Sequence, residues 1–91
     1  MEIRWSDKAW IDYLYWQTQD KKTLKRINRL IKSVERGFDN QEDQEFSIGK
    51  PERLKHSRTG LLSVRIDEVN RLVYKLELDT LYIVSCRGHY Q

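Results

Sequence analysis

The sequence predicts a small α+β fold: an N-terminal strand, an αα-hairpin and then an antiparallel sheet. Three observations carry this prediction. Apolar residues alternate at the N-terminus, return at helical spacing between residues 7 and 36, and alternate again from residue 52 onward. Turn-forming residues separate the runs. A chain of 91 residues forms a single domain over 1–91 with one modest core.

The opening stretch sets Ile3 and Trp5 against Glu2 and Arg4, which reads as a strand. Ser6 is a natural N-cap for a helix starting at Asp7. Trp10, Tyr13, Leu14 and Gln17 recur there at helical spacing and predict the apolar stripe. The pattern breaks over Thr18–Asp20, and Asp20 can cap a second helix. In that helix Leu24, Ile27, Ile31 and Val34 form the apolar stripe, with Leu30 beside it and Gly37 at the C-cap. Two helices joined by a tight turn make an αα-hairpin. Residues 39–50 are polar and weakly patterned, as expected of a loop. Short strands are then predicted over Glu52–Lys55, Leu62–Asp67, Arg71–Leu76 and Leu81–Ser85. The last three, with short turns between them, make an antiparallel meander that the helices can cover on one face.

Composition narrows the function classes. Cys86 is the only cysteine, which excludes an internal disulfide. One cysteine and two histidines argue against a closed zinc site, and no cofactor is expected. The opening MEIRWSDKAW has no long apolar run, so neither a signal peptide nor a membrane span is expected, and the expected location is the cytoplasm. The net charge of +3 is small, but its distribution is polarised. Lys21, Lys22, Lys25, Arg26, Arg29, Lys32 and Arg36 face a single acid, Glu35, in the second helix. Four acids and no base follow between Gly37 and Phe46. This pattern fits an anionic partner on one face. A solvated helix surface accounts for the run equally well.

The side chains able to do chemistry gather late: Glu52, Lys55, His56, Arg65, Arg71, Arg87, His89 and Tyr90. Arg65 sits between inward-facing Val64 and Ile66 and therefore points to the opposite sheet face. Arg71 lies across a short turn, close enough to be a cross-strand neighbour. Two guanidinium groups side by side favour an anion, and a phosphate suits their geometry. Asp67 or Glu68 could also supply the compensation. RNA cleavage without a metal needs a base for the 2′-hydroxyl, cationic help at the phosphate and an acid for the leaving oxygen. Glu52, the arginines and His89 can fill those roles, and Tyr90 can stack on a base. Taken one at a time, Glu52 is also an ordinary surface acid and His89-Tyr90 an ordinary frayed tail.

These residues carry a resemblance that spans nearly the whole chain. The segment IRWSDKAWIDYLYWQTQDKKTLKRINRLIK from Ile3, then KPERLKH from Lys50, SRTGLLSVRIDEVNRLVY from Ser57 and CRGHY from Cys86 resemble the Txe/YoeB-type toxins of the RelE/ParE superfamily. The resemblance implies a RelE/ParE-like, microbial ribonuclease-like fold. It implies cleavage of translated messenger RNA in the ribosomal A site, inhibition by an acidic, partly disordered antitoxin, and a homodimer as a possible assembly. By its motifs Glu52 is the general base of KPExLKH, and Lys55 of the same motif contacts phosphate. Arg65 and Arg71 match the arginines of RRI and HRLVY and stabilise the transition state. His89 of RYHY is the general acid and Tyr90 positions the substrate; by their charge, Arg87 and the basic helix are expected to contact RNA. The chain departs from the pattern at Arg53-Leu54, Leu61-Leu62 and Val64, at Gly88 within RYHY, and at Gln91 beyond the terminal tyrosine. The alternative is a noncatalytic toxin-like module that binds its antitoxin or another target such as gyrase.

Overall fold

The computed structural model describes residues 1–37, 52–53 and 60–88. In chain order the elements are β1 (Glu2–Trp5), α1 (Asp7–Gln19), α2 (Lys21–Gly37), β2 (Glu52–Arg53), β3 (Leu62–Arg65), β4 (Arg71–Glu77) and β5 (Thr80–Ser85). The strands form one sheet in the order β1-β5-β4-β3-β2. The predicted α+β architecture is present. The 39–50 loop and the continuation of the second-half strand to Lys55 lie outside the described residues.

The N-terminal strand joins the meander at its far edge. β1 runs parallel to β5, with Ile3 opposite Leu81 and Trp5 opposite Ile83. The remaining pairs are antiparallel, so the sheet is mixed. A parallel neighbour requires a crossover, and the αα-hairpin lies in the long connection between β1 and β5. The crossover also explains why the helices cover one sheet face.

Ser6 and Asp20 act as the sequence suggests. Ser6 Oγ accepts from the Ala9 amide at 3.0 Å, and its hydroxyl donates to the Val84 carbonyl at 2.7 Å. The cap thus ties α1 to β5. The Asp20 amide donates to the Trp16 carbonyl and closes α1. Its carboxylate accepts from the amides of Lys22 and Thr23 and opens α2. One residue separates the helices, and Thr18 and Gln19 are helical rather than part of a break.

The apolar stripe of α1 differs from the prediction. Its buried positions are Ala9, Asp12 and Trp16, while Trp10 and Leu14 are exposed along with Ile11. The spacing 9, 12, 16 is as helical as 10, 13, 14, 17. Hydrophobicity favoured the larger side chains, whereas packing required a small residue where α1 approaches the sheet. Trp10 instead stacks on Tyr13, which leans on Trp5. The α2 stripe is as predicted: Ile27, Leu30, Ile31 and Val34 are buried and Leu24 packs against them. Across the sheet the core continues through Val64, Ile66, Leu72, Tyr74, Leu81 and Ile83.

Strand limits shift slightly. β3 stops at Arg65, β4 extends to Glu77 and β5 begins at Thr80. The early stop has a local cause. Asp67 Oδ1 accepts from the amides of Val69 and Asn70 at 2.8 and 2.7 Å, an Asx-type turn that competes with ladder pairing.

Candidate functional site

The arginines of β3 and β4 fall in one row of the sheet. Arg65 and Arg71 are cross-strand partners. Val64 and Ile66 on either side of Arg65 are buried in the core beneath the helices, and Arg65 itself is exposed. The alternation of a pleated strand therefore puts Arg65 on the face opposite α1 and α2. Arg71 is half-buried there, and its Nε donates to Ser63 Oγ at 3.1 Å. Ser63 is almost fully buried and holds this guanidinium from the next position along the same face.

The neighbouring row, through Val73 and Ser63, reaches β2. Residue 52 pairs with Ser63, the residue that Arg71 contacts. The backbone of Glu52 thus stands one strand from the Arg65–Arg71 pair. Like charges directly opposite each other on a sheet disfavour the pair, whereas an anion bridging them reverses the sign. A doubly charged phosphate, or the trigonal-bipyramidal phosphorane of a transfer reaction, has the charge and the acceptor oxygens to do so. The side chain of Glu52 and the residues Lys55, His56, His89 and Tyr90 lie outside the described residues.

The approach to the C-terminus is held on two sides. On the α1 side, the buried Asp12 carboxylate accepts from the Cys86 amide at 3.1 Å and from Lys8 Nζ at 2.7 Å. Trp16 Nε1–H donates to the Cys86 carbonyl at 2.9 Å, and Lys8 Nζ donates to the Arg87 carbonyl at 3.2 Å. On the turn side, the Gly88 amide donates to Asn70 Oδ1 at 2.8 Å, and the Arg71 amide donates to the Gly88 carbonyl at 3.1 Å. Gly88 has φ +92°, a left-handed conformation that suits glycine. Up to residue 88 the tail is bound tightly rather than frayed.

The remaining predicted RNA contacts have different surroundings. The Arg87 guanidinium lies 3.6 Å from the centroid of the Tyr15 ring, a cation–π stack that leaves its N–H edge for acceptors. In α2, Lys21, Lys22, Lys25, Arg29 and Lys32 are exposed. Lys25, Arg29 and Lys32 follow one face at i, i+4 and i+7. Arg26 turns inward: its Nε and Nη2 donate to the carbonyls of Ile66 and Arg65 at 3.3 and 3.5 Å. It anchors the end of β3 under the helix, so part of its donor set is already engaged.

Sequence reasoning missed Asp12, Lys8, Ser63 and Asn70. A trace of the first pair was present, since Lys8 and Asp12 are spaced i, i+4 on a helix. The contacts of Ser63 with Arg71 and of Asn70 with Gly88 carried no local signal, because those partners are eight and eighteen residues away. Burial pushes the Cys86 thiol up to about 12, with the nearby Asp12 carboxylate adding to the shift. That makes it an inert core residue, not a nucleophile. Among the described residues, no three His, Cys, Asp or Glu side chains come together as metal donors. No described helix is long and apolar enough to cross a membrane.

Comparison with known proteins places this geometry in context. A family model described as "YoeB-like toxin of bacterial type II toxin-antitoxin system" matches residues 5–90. Toxin YoeB of Escherichia coli K12 is 47% identical over 91 residues, covering 99% of this chain and 100% of that protein. The YoeB dimer from Staphylococcus aureus superposes with a TM-score of 0.84 at 43% identity, covering 99% of this chain and 98% of the other. The heterotetrameric YoeB-YefM toxin-antitoxin complex from the same organism gives 0.81 at 43% identity with the same coverage.

Proposed function

Because the chain belongs to the YoeB-like toxins of bacterial type II toxin-antitoxin systems, we propose that it is a ribosome-dependent endoribonuclease that cuts translated messenger RNA in the A site and so arrests translation in the cytoplasm. The observation that carries this reading is the Arg65–Arg71 pair on the sheet face opposite α1 and α2, with residue 52 paired to Ser63 in the neighbouring row. A noncatalytic binding module has no need for two arginines at opposed strand positions beside a carboxylate position.

In the proposed reaction Glu52 removes the proton from a 2′-hydroxyl. The 2′-oxygen attacks the adjacent phosphorus, and the P–O5′ bond breaks. Arg65 and Arg71 neutralise the charge that builds on the non-bridging oxygens, with Ser63 fixing the approach of Arg71. His89 delivers a proton to the departing 5′-oxygen. The products are a 2′,3′-cyclic phosphate and a 5′-hydroxyl, and every proton and bond is accounted for without an added cofactor. Tyr90 stacks on the substrate and Lys55 contacts phosphate.

The exposed face Lys25-Arg29-Lys32, with Lys21, Lys22 and Arg87, meets ribosomal or messenger phosphates, which makes ribosome binding steeply salt-dependent. An acidic, partly disordered antitoxin covers the same charge and the site. Complexes of a relative with its antitoxin and as a dimer support both partners.

The test is cleavage of messenger RNA on programmed ribosomes, with both ends of the cut mapped. A cyclic phosphate upstream and a 5′-hydroxyl downstream are expected. Arg65→Ala, Arg71→Ala, Glu52→Ala and His89→Gln should each slow cutting by about 10²-fold or more. A 2′-deoxy substitution at the cleaved nucleotide that leaves cutting intact removes the mechanism. Growth arrest on expression that survives both Glu52→Ala and His89→Gln favours the binding module.

A further inference from the structure

We infer that Asn70, held by Asp67, is a positioning residue that fixes the backbone from which His89 departs, beside Arg71. The inference rests on His89 acting as the acid proposed above.

Asn70 uses its whole side chain in two directions. Its Nδ2 donates to both oxygens of Asp67, at 3.1 Å to Oδ1 and 3.0 Å to Oδ2. Its Oδ1 is thereby turned toward the tail, where it accepts from the Gly88 amide at 2.8 Å. The orientation of the amide follows from its partners. The carboxylate accepts only, so it selects the NH2 end and leaves the oxygen for Gly88. The Asp67 carboxyl is itself fixed by the amides of Val69 and Asn70.

The next residue closes the clasp. The Arg71 amide donates to the Gly88 carbonyl at 3.1 Å. Asn70 and Arg71, adjacent in sequence, therefore grip the N–H and the C=O of one glycine. The nitrogen of residue 89 is bonded to that carbonyl carbon, so the chain leaves for His89 from a point tied to the backbone of a proposed catalytic arginine. With φ +92° and, among the described residues, no atom within 4 Å of where a Cβ would stand, Gly88 is held by these bonds. Gly88 is one of the positions where the sequence departs from the family pattern, within RYHY. A glycine at this position makes the backbone more permissive, and the Asn70 oxygen supplies the constraint a side chain would otherwise give.

The experiment uses the full chain on programmed ribosomes, comparing wild type, Asn70→Ala, Asn70→Asp and the exchanged pair Asp67→Asn/Asn70→Asp. Asn70→Ala should lower the single-turnover cleavage rate about 10- to 100-fold, as expected of a misplaced acid, while ribosome affinity stays within about twofold. Asn70→Asp alone sets two carboxylates against each other and should behave similarly. The exchanged pair restores an acceptor for Gly88 and a donor–acceptor contact across the turn, and should regain most of the rate. In the free protein, nitrogen-15 relaxation of the Gly88 amide should report added motion in Asn70→Ala and its loss in the exchanged pair. Wild-type cutting by Asn70→Ala overturns the inference, as does a rate loss matched by an equal loss of ribosome affinity or unrescued in the exchanged pair. His89→Gln is the control that separates the two readings. If it cuts like wild type, the acid assignment falls and this inference with it; if it is inactive while Asn70→Ala is not, only the clasp is wrong.

Discussion

Replacing Asp12 tests the bond between α1 and the tail. Asp12 is 5% exposed, and its carboxylate accepts from two donors in very different surroundings. The Cys86 amide is buried, so Asp12→Ala leaves it without an acceptor, a loss of about 1–3 kcal/mol. Lys8 is 60% exposed in its side chain and is rehydrated when its partner goes, so that contact adds no more than about 0.5 kcal/mol. The expected total is about 1–3.5 kcal/mol. For a domain of this size each kcal/mol moves the thermal midpoint by about 4–8 °C, which gives a drop of about 4–28 °C. Asp12→Asn keeps an oxygen for the Cys86 amide and should cost only about 1 kcal/mol. Lys8→Met leaves the carboxylate buried with one donor fewer and should cost about 1–2 kcal/mol, a cost that disappears in the Asp12→Asn background. Urea and thermal unfolding followed by circular dichroism measure all four variants, and the double-mutant cycle yields the coupling. An Asp12→Ala protein within about 0.5 kcal/mol of wild type, or fully additive Lys8 and Asp12 effects, would refute the reasoning.

Three further outcomes follow from single features. Leu78 is 96% exposed at φ +54° in the β4–β5 turn, so Leu78→Gly should relieve strain and raise stability by about 1 kcal/mol, read as a higher thermal midpoint; a lower one disproves the strain. With its thiol pushed up to about 12, Cys86 should resist alkylation at pH 8 in the native protein and react once urea unfolds it; rapid native labelling contradicts its burial. The Asp67 carboxyl lies below its ordinary 3.8: desolvation would raise it, but hydrogen bonds from the Asn70 side chain and from the amides of Asn70 and Val69 outweigh that. A depressed folded value means the turn gains stability that is complete above the unfolded value and is lost as pH falls through the folded one. The Asn70 and Gly88 amide shifts should therefore titrate together below pH 3.8, and Asp67→Asn should abolish that transition.

By itself the sequence determined the elements and their amphipathic character, because periodicity and capping are local. Ser6 and Asp20 start their helices through bonds spanning three residues, and the α2 stripe from Leu24 to Val34 is visible in spacing alone. The alternation around Arg65 fixed its face, and the short turn to Arg71 was enough to place the two side by side. The motifs carried the family. Tertiary structure decided what depends on distant partners. It paired β1 in parallel with β5, and it chose Ala9, Asp12 and Trp16 over the larger Trp10 and Leu14 as the buried face of α1. It drew Arg26 onto the carbonyls at the end of β3. It also bound residues 86–88 between α1 and the Asp67–Asn70 turn, across separations of eighteen to seventy-nine residues. Periodicity records which side of an element is apolar. A hydrogen bond across the fold depends on register and approach, and those are set only when the whole core closes.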